Sequence, residues 1–374
     1  MVDEKLTSFR VNDLLNEQAY EVLSKSQSLE REGKQIYHFE IGQPDFKTPE
    51  NIVQAGIKAI QDGHTKYGPV LGLSVLRDAI AYNQTFRTGI TVKYNQVAIT
   101  PSGHTAIFAV MSSLINPGDE VIYPNPSFPA YHELTKYLGG VSRYDMRITP
   151  KTKLVILCSP SNPTGQVMTK EQMQIIASAA RTYGIWVMTD EIYARLVYDN
   201  IEYPSYMSYG DPERTIVVDG FSKSYAMTGW RIGHIIAPSG LIDRIEPLLT
   251  HLTGGVAPFV QYAAYEALTG SQDSVHIMTT VFEKRRNTMV KLLNEIGLVT
   301  CDTPQGAFYC FPNVSAYGKS SQEIADCLLS KGVATLPGTA FGTQGEGYLR
   351  LSYATDEDTI KKGLAVMKEA LERL

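Results

Sequence analysis

The sequence predicts an α/β protein with a large domain, built on a doubly wound and mostly parallel sheet, and a smaller α+β domain. Two observations predict the sheet. Short apolar strands alternate with helices between about residues 96 and 236, and strand after strand ends in a cluster of polar residues. One strand, 154–158, is a continuous apolar run, which is typical of parallel strands buried on both faces. Because such sheets bind ligands at the carboxyl ends of their strands, we expect the functional site along that edge.

Length and composition limit the class of protein. The chain has 374 residues and a mass of 41.4 kDa, which is enough for one large and one small domain. Its net charge of −5 argues against a nucleic-acid surface, which needs a basic excess. The N-terminus lacks the apolar core of a signal peptide, and no apolar stretch approaches membrane-spanning length. We therefore expect a cytoplasmic protein that binds neither nucleic acid nor a membrane.

The cysteines and histidines show no metal-site pattern. Four cysteines and seven histidines are scattered without the spacing of metal ligands or of a CxxC motif, so no metal site is predicted. Four free thiols suit a reducing compartment, although four cysteines could also pair.

The N-terminal part predicts a leading helix and two loops of interest. Apolar and charged residues alternate at helical spacing over residues 11–32, and a short strand over 36–41 ends at Gly42. Gly42 would let a ligand approach the backbone, although a plain turn before the helix near Pro49 explains it equally well. Tyr67 lies in a loop before the next helix, where the sequence alone indicates only a turn.

The next strand leads into a turn that suits an anion. The strand over 96–100 is followed by Ser102 and Gly103, and His104 stands at the start of a helix. Backbone N–H groups and the helix dipole can hold a phosphate at such a turn, although many α/β turns look alike. Phe128 follows the next predicted strand, where its ring could stack on a flat heteroaromatic ligand or belong to the core.

Two further strands end in polar residues. The strand over 154–158 leads to Asn162, and the strand over 185–189 leads to Asp190 and Tyr193. We expect these side chains to lie at the same edge of the sheet.

A polar loop between two apolar runs contains the residue on which the interpretation depends. Lys223 lies between the strands predicted over 215–219 and 232–236, together with Ser222 and Arg231. Lysine forms Schiff bases with carbonyl compounds once its pKa is lowered, and serine hydroxyls and an arginine fork suit a phosphate. Aldehyde chemistry and phosphate binding together describe pyridoxal phosphate (PLP). The alternative is a solvated loop lysine with Arg231 in a surface ion pair.

The C-terminal part predicts the smaller domain. Residues 241–297 are predicted to be largely helical, and short strands and helices follow them. The last helix, predicted over 356–374, carries an apolar stripe that indicates core packing, formed by Ile360, Leu364, Met367, Leu371 and Leu374. We predict a small domain from residues 1–45 and 285–374, and a large PLP-binding domain from residues 46–284.

Three motifs together resemble the signature of the class I and II aminotransferases, which are PLP enzymes of the aspartate aminotransferase fold (fold type I). They are SNPTG at 161–165, DEIY at 190–193 and SKSYAMTGWRIG at 222–233. Shorter matches occur in the same order along the chain, so that the resemblance extends from about Tyr37 to the C-terminus. It implies an enzyme that moves an amino group between an L-amino acid and a 2-oxo acid by a ping-pong mechanism.

The resemblance also implies roles for individual residues around the cofactor. Lys223 resembles the lysine that binds PLP covalently and then carries a proton, and Asp190 would pair with the pyridine nitrogen. Asn162 and Tyr193 would hydrogen-bond the 3-hydroxyl oxygen, and Phe128 would stack on the ring. The phosphate would be held by Ser102, Gly103, His104, Ser222 and Arg231.

Further implied roles concern the substrate and a second subunit. Arg350 would bind the substrate carboxylate through two parallel hydrogen bonds, helped by the Gly42 backbone and by Asn162. Tyr67 resembles the tyrosine that reaches the phosphate of a neighbouring subunit, which implies a homodimer with shared active sites.

Two departures from the family pattern carry expectations of their own. The segment after Gly140 is shorter than usual, which predicts a missing surface helix and a more open rim near Tyr131. His104 stands where bacterial aspartate-specific relatives often carry a lysine. Because neutral imidazole is a poor partner for a second carboxylate, neutral or aromatic donors are expected to outperform aspartate. The alternative is that His104 is a residue at the start of a helix with no role in substrate binding.

Other functions share part of the pattern. A carbon–sulfur β-lyase of the same fold has the same motifs, so the sequence does not separate it from an aminotransferase. A PLP-binding regulator is disfavoured because the chain has no spare length or basic patch for a DNA-binding module. A nicotinamide dehydrogenase is disfavoured because no G-x-G-x-x-G follows an early strand.

Overall fold

The computed structural model describes residues 8–12 and 14–374. The helices are α1 (Phe9–Asn12), α2 (Gln18–Arg31), α3 (Glu50–Gln61), α4 (Ser74–Thr88), α5 (Gly103–Leu114), α6 (Pro129–Tyr137), α7 (Lys170–Tyr183), α8 (Ser239–Leu252), α9 (Pro258–Thr269), α10 (Asp273–Asn294), α11 (Ser321–Ser330) and α12 (Glu357–Leu371). The strands are β1 (Tyr37–His38), β2 (Val97–Thr100), β3 (Glu120–Ile122), β4 (Val141–Arg143), β5 (Thr152–Cys158), β6 (Trp186–Asp190), β7 (Thr215–Gly220), β8 (Gly233–Ile236), β9 (Tyr309–Cys310), β10 (Val333–Ala334), β11 (Leu336–Pro337) and β12 (Leu349–Ser352).

The central sheet has seven strands in the order β2-β8-β7-β6-β5-β3-β4. All neighbours pair in parallel except β8, which is antiparallel to both β2 and β7. The prediction of a mostly parallel sheet in an α/β fold is confirmed. Strands β5, β6 and β7 are parallel neighbours in this sheet, so their carboxyl ends lie side by side. A ligand site is expected at these ends.

The sheet is buried on both faces, which explains its continuous apolar strands. Ile156 and Met188 point to the core shared with α5 and α8. Their neighbours in sequence, Leu157 and Val187, point to the core beneath α7. Because successive side chains of a strand alternate between faces, helices on both sides of the sheet require apolar residues at nearly every position.

Smaller sheets lie in the C-terminal part. Strands β11, β12 and β9 form an antiparallel sheet, and β1 pairs in parallel with β10. The register places Tyr37 opposite Val333, so the chain before residue 45 contacts the C-terminal part. The domain boundaries at residues 45 and 285 stay predictions.

Several elements differ from the sequence prediction at the N-terminus. The leading helix was predicted over 11–32, but α2 begins only at Gln18, after Glu17 with an extended backbone. The strand predicted over 36–41 has only two paired residues, because β10 offers only two partners. In the last helix, Leu374 lies beyond the end of α12 and is exposed, whereas the other four stripe residues are buried.

The short segment after Gly140 contains no helix before β5, as predicted, but the expected open rim near Tyr131 is wrong. The segment forms the edge strand β4, and Tyr131 on the preceding helix α6 is completely buried rather than at an open rim. Tyr131 is buried because its ring packs edge-on against Tyr123 and Phe128.

All four cysteines have free thiols. In the described ranges of the chain, no helix combines the length and the apolar character needed to cross a bilayer.

Candidate active site

A cavity of about 690 Å³ lies at the carboxyl ends of β5, β6 and β7. Its walls are formed by these strand ends, the start of α5, the loop between β7 and β8 and the segment around Glu17, together with the loop at Gly42, with Phe128 and Tyr131, and with Tyr309. Arg350 on β12 closes the cavity from the C-terminal side.

Lys223 projects into the cavity from the loop between β7 and β8. Its Nζ donates a hydrogen bond to the backbone oxygen of Gly42 at 2.7 Å. Burial, helped by the positive charges of Arg350 and Arg231, lowers the pKa of Lys223 to about 8. A substantial fraction of this amine is therefore neutral near pH 8, which a nucleophilic or proton-transferring lysine requires.

Asp190 is the last residue of β6 and is fully buried in the floor of the cavity. Burial raises the pKa of Asp190 to about 6, although two hydrogen bonds favour its ionised form. The Tyr131 hydroxyl donates a hydrogen bond to Oδ2 at 2.7 Å, and the backbone N–H of Ile192 donates one to Oδ1 at 3.2 Å. The carboxylate is thus held in one orientation and is negatively charged at neutral pH.

Two tyrosine hydroxyls meet beside the lysine. The hydroxyl oxygens of Tyr193 and Tyr309 are 2.8 Å apart, and both rings are buried. A Cβ at position 42 would collide with the Tyr309 hydroxyl, so that only glycine fits there. The backbone carbonyl of Gly42 therefore stays within reach of Lys223.

Arg350 is only 4% exposed and is held between aromatic rings. Its guanidinium carbon lies 4.5 Å from the ring centroid of Tyr309 and 4.8 Å from that of Phe341. Nη1 donates to Oδ1 of Asn162 at 3.2 Å, and Nη2 donates to the backbone oxygen of Glu40 at 2.5 Å. Its buried Nε has no hydrogen-bond partner among the described residues. The orientation of a cationic fork is thus fixed, and three of its five N–H donors remain without a partner among the described residues.

The start of α5 forms a corner suited to an anion. The side chain of Ser102 accepts a hydrogen bond from the N–H of Thr105 at 3.1 Å, so Ser102 caps the helix. A Cβ on Gly233 would lie 2.8 Å from the nitrogen of Gly103, which explains the glycine at that strand start. Arg231, in a left-handed backbone conformation with φ of 56°, lines the same cavity. Helix N–H groups and a guanidinium together favour a phosphate.

His104 lies at the mouth of the cavity beside a residue that the sequence did not indicate. Its Nε2 is 3.2 Å from Oε1 of Glu17, and its ring packs edge-on against Phe128 with 5.1 Å between centroids. The hydrogen bond with His104 is the main cause that lowers the pKa of Glu17. A carboxylate therefore faces the cavity from the segment before α2.

Comparison with known proteins agrees with this geometry. The family model for aminotransferases of class I and II matches residues 34–367. The chain belongs to this family. The prediction from the three motifs is confirmed, and the protein is an aminotransferase.

Relatives of this aminotransferase differ in the substrate that their names give. An aspartate aminotransferase of Streptomyces avermitilis is 38% identical, and the match covers 98% of this chain and 97% of the relative. The solved structure of an aspartate aminotransferase from Thermus thermophilus with maleate superimposes with a TM-score of 0.94 at 33% identity, covering 97% of this chain and 99% of that chain. An aromatic aminotransferase from Pyrococcus horikoshii superimposes with a TM-score of 0.88 at 34% identity, covering 94% and 99%.

The cavity of the aminotransferase brings together nearly all residues predicted for the site. Those that line it are Gly42, Ser102, Gly103, His104, Phe128, Asn162, Asp190, Tyr193, Ser222, Lys223, Arg231 and Arg350. Tyr67 does not line it and is 99% exposed on the surface of the single chain. Phe341 also lies outside the lining, although its ring contacts Arg350.

Sequence reasoning missed Glu17 and Tyr309, and it did not predict the hydrogen bond from Tyr131 to Asp190. Each reaches the site through contacts distant in sequence: Tyr131 is 59 residues from Asp190, and Tyr309 is 116 residues from Tyr193. No local pattern marks such pairs. The glycine at position 42 was the one available signal, because it indicated a close approach to the backbone.

Proposed function

We propose that this aminotransferase uses PLP to move an amino group between an L-amino acid and a 2-oxo acid by a ping-pong mechanism. We propose further that it favours neutral or aromatic donors over aspartate. The observation that carries the proposal is the partly buried amine of Lys223, which has a lowered pKa and shares one cavity with the buried carboxylate of Asp190 and the guanidinium of Arg350.

The residues of the cavity fit PLP in charge and in hydrogen bonding. The start of α5, Ser222 and Arg231 offer donors for a phosphate. Asp190 offers a carboxylate to a protonated ring nitrogen, since a buried negative charge requires a positive partner. Phe128 lines the cavity at a place where an aromatic ring could pack, and Tyr193 offers a hydroxyl to a ring oxygen.

When bound, PLP supplies an aldehyde for covalent attachment of amines and a cationic ring that accepts the electron pair released at the substrate Cα. Lys223 then has two functions. It binds the cofactor covalently before substrate arrives, and its free amine afterwards moves the proton at the substrate Cα. The lowered pKa of about 8 suits both functions, since each needs the neutral amine.

Arg350 binds the carboxylate that all amino acids and 2-oxo acids share. Its fork is already oriented by Asn162 and by the backbone oxygen of Glu40, so that little orientational freedom is lost on binding. The guanidinium lines the cavity, so a carboxylate bound there would meet a cation whose orientation is already fixed.

The expected preference for neutral donors is supported by Glu17. A donor such as aspartate would bring a second carboxylate toward a wall where Glu17 already holds a negative charge beside His104. Repulsion and the cost of burying an unpaired carboxylate both act against aspartate. Phenylalanine, methionine and alanine bring no such charge.

A homodimer with shared active sites is part of the proposal. The ring of Tyr67 is 99% exposed in the single chain, which suits a side chain that reaches into the site of a second subunit.

The test is a panel of amino donors against 2-oxoglutarate and pyruvate, followed by the spectra of each half-reaction. We expect turnover only when a 2-oxo acid is present, and a higher kcat/KM for phenylalanine, methionine or alanine than for aspartate. Pyruvate release from cystathionine without any 2-oxo acid would instead identify a carbon–sulfur β-lyase. A clear preference for aspartate at neutral pH would refute the proposed donor class.

A further inference from the structure

The segment that leads into α2 forms one wall of the cavity. Glu17, Ala19, Tyr20 and Leu23 line it, whereas Lys223 and Arg350 approach from other elements. The reacting Cα must lie near Lys223 and the substrate carboxylate near Arg350, so that the donor side chain is left to face another wall. Burial is the main cause that lowers the pKa of Lys223, whereas the negative charge of Glu17 raises that pKa. Glu17 is therefore within electrostatic range of the reacting centre.

The Glu17 carboxylate is available to a ligand. Glu17 stands at the N-cap of α2, but its side chain makes no capping hydrogen bond there. Its carboxylate instead lies 3.2 Å from Nε2 of His104, and its side chain is 30% exposed. The backbone before Glu17 is held in place, since the N–H of Leu15 donates to Oε2 of Glu133 at 3.1 Å.

We propose that Glu17 and His104 together recognise the end of the donor side chain, and that they select a carboxamide. This inference rests on the proposed aminotransferase function and specifies its substrate class.

A carboxamide matches the pair because it carries both a donor and an acceptor. Its NH₂ group can donate to the carboxylate of Glu17, and its oxygen can replace Glu17 as the acceptor of the Nε2–H of His104. Both ends of the amide are then satisfied, and no net charge is brought into the cavity.

Other side chains satisfy only part of the pair. A carboxylate has the same shape as a carboxamide, but it offers no donor to Glu17 and repels its charge. An ammonium group suits Glu17 but offers no acceptor to His104. An apolar side chain is not repelled as a carboxylate is, but it would cover the Glu17 carboxylate without replacing its hydrogen bonds to water.

Asparagine and aspartate are the sharpest test, because they differ only in this group. We would measure the half-reaction rates of both, with alanine as a donor whose methyl group cannot reach Glu17, in the PLP-loaded enzyme. For the unaltered chain we expect asparagine to exceed aspartate in kcat/KM by about tenfold or more. Glutamine and lysine in the same assay separate a longer carboxamide and an ammonium group from asparagine.

Two variants make the test specific. Glu17→Gln removes the charge but keeps the length of the side chain, so the asparagine-to-aspartate ratio should fall by about tenfold, mainly through faster reaction of aspartate. Glu21→Gln is the matched control, since Glu21 is exposed one turn later on the same helix and does not line the cavity. It should leave both the asparagine-to-aspartate ratio and the rate with alanine unchanged.

The outcomes separate this inference from the function on which it rests. Normal turnover of alanine with the same asparagine-to-aspartate ratio in Glu17→Gln and in the unaltered chain would overturn the assignment of Glu17 alone. A preference for lysine over both amides would overturn the carboxamide. Failure of every donor, alanine included, would overturn the proposed function as well.

Discussion

The hydrogen bond from Tyr131 to Asp190 controls how readily a fully buried carboxylate ionises. Burial raises the pKa of Asp190 to about 6, and the Tyr131 hydroxyl opposes that rise. Tyr131 thus acts on Asp190, the residue proposed to pair with the cofactor ring. None of the three sequence motifs contains Tyr131.

Tyr131→Phe should raise the pKa of Asp190 further, because the ionised form loses a hydrogen bond at 2.7 Å. Hydrogen bonds to charged groups contribute about 1.5–3 kcal/mol, so the acidic limb of the pH–rate profile should move up by roughly one unit or more. Activity lost at neutral pH should return at higher pH. Tyr123→Phe is the matched control, since Tyr123 packs against Tyr131 but bonds Ser142 instead. An acidic limb that stays in place in Tyr131→Phe would contradict this role.

Arg350→Leu should weaken every amino-acid and 2-oxo-acid substrate to a similar extent, because all of them share the α-carboxylate. Loss of a buried charged contact costs roughly 2–5 kcal/mol, and kcat/KM should fall accordingly. The measurement is kcat/KM for donors of several side-chain classes. A loss confined to one class would instead place Arg350 against the donor side chain.

At the scale of elements, β1 and α2 are joined by a charged cluster behind the substrate site. His38 on β1 lies 2.8 Å from Glu40 through Nδ1 and 3.1 Å from Glu30 on α2 through Nε2. The backbone oxygen of Glu40 accepts the hydrogen bond from Arg350. The cluster thus connects the helix over the cavity to the arginine of the site.

The hydrogen bond with Glu40 raises the pKa of His38 from 6.5 to about 9. A raised pKa means that the cluster stabilises the fold fully below pH 6.5 and that this contribution is lost as the pH rises through about 9. The difference in Tm between the unaltered chain and His38→Gln should therefore shrink between pH 6 and 10. A difference that stays constant over that range would show that the charge of His38 does not contribute.

The sequence predicted elements better than it predicted contacts between them. Strands such as β5 and the helix α5 were recognised because their apolar pattern is set locally by burial on two faces or one. The extent of α2 was not predicted correctly, because its residues face a cavity and solvent instead of a continuous core. The motif residues were placed correctly in one cavity, since parallel strands end at a common edge. Glu17, Tyr131 and Tyr309 contribute through tertiary packing, which no local spacing records.

We predict that the whole molecule is a dimer. The exposed ring of Tyr67 has its proposed role only if a second subunit is present. Sedimentation should give about twice the chain mass of 41.4 kDa. Tyr67→Phe should weaken cofactor retention without changing the sedimentation of the dimer. A monomer that is fully active would contradict the shared site.

The central claim is that Lys223 binds the cofactor covalently. Reduction of the PLP-loaded enzyme with borohydride, followed by proteolysis and mass spectrometry, tests it most directly. We expect one pyridoxyl group per chain, on Lys223, and no such adduct in Lys223→Ala. The reason is that the amine of Lys223, with its lowered pKa, is the nucleophile that lines the cavity beside Asp190 and Arg350. A pyridoxyl group on any other lysine, or an equal adduct in Lys223→Ala, would contradict it.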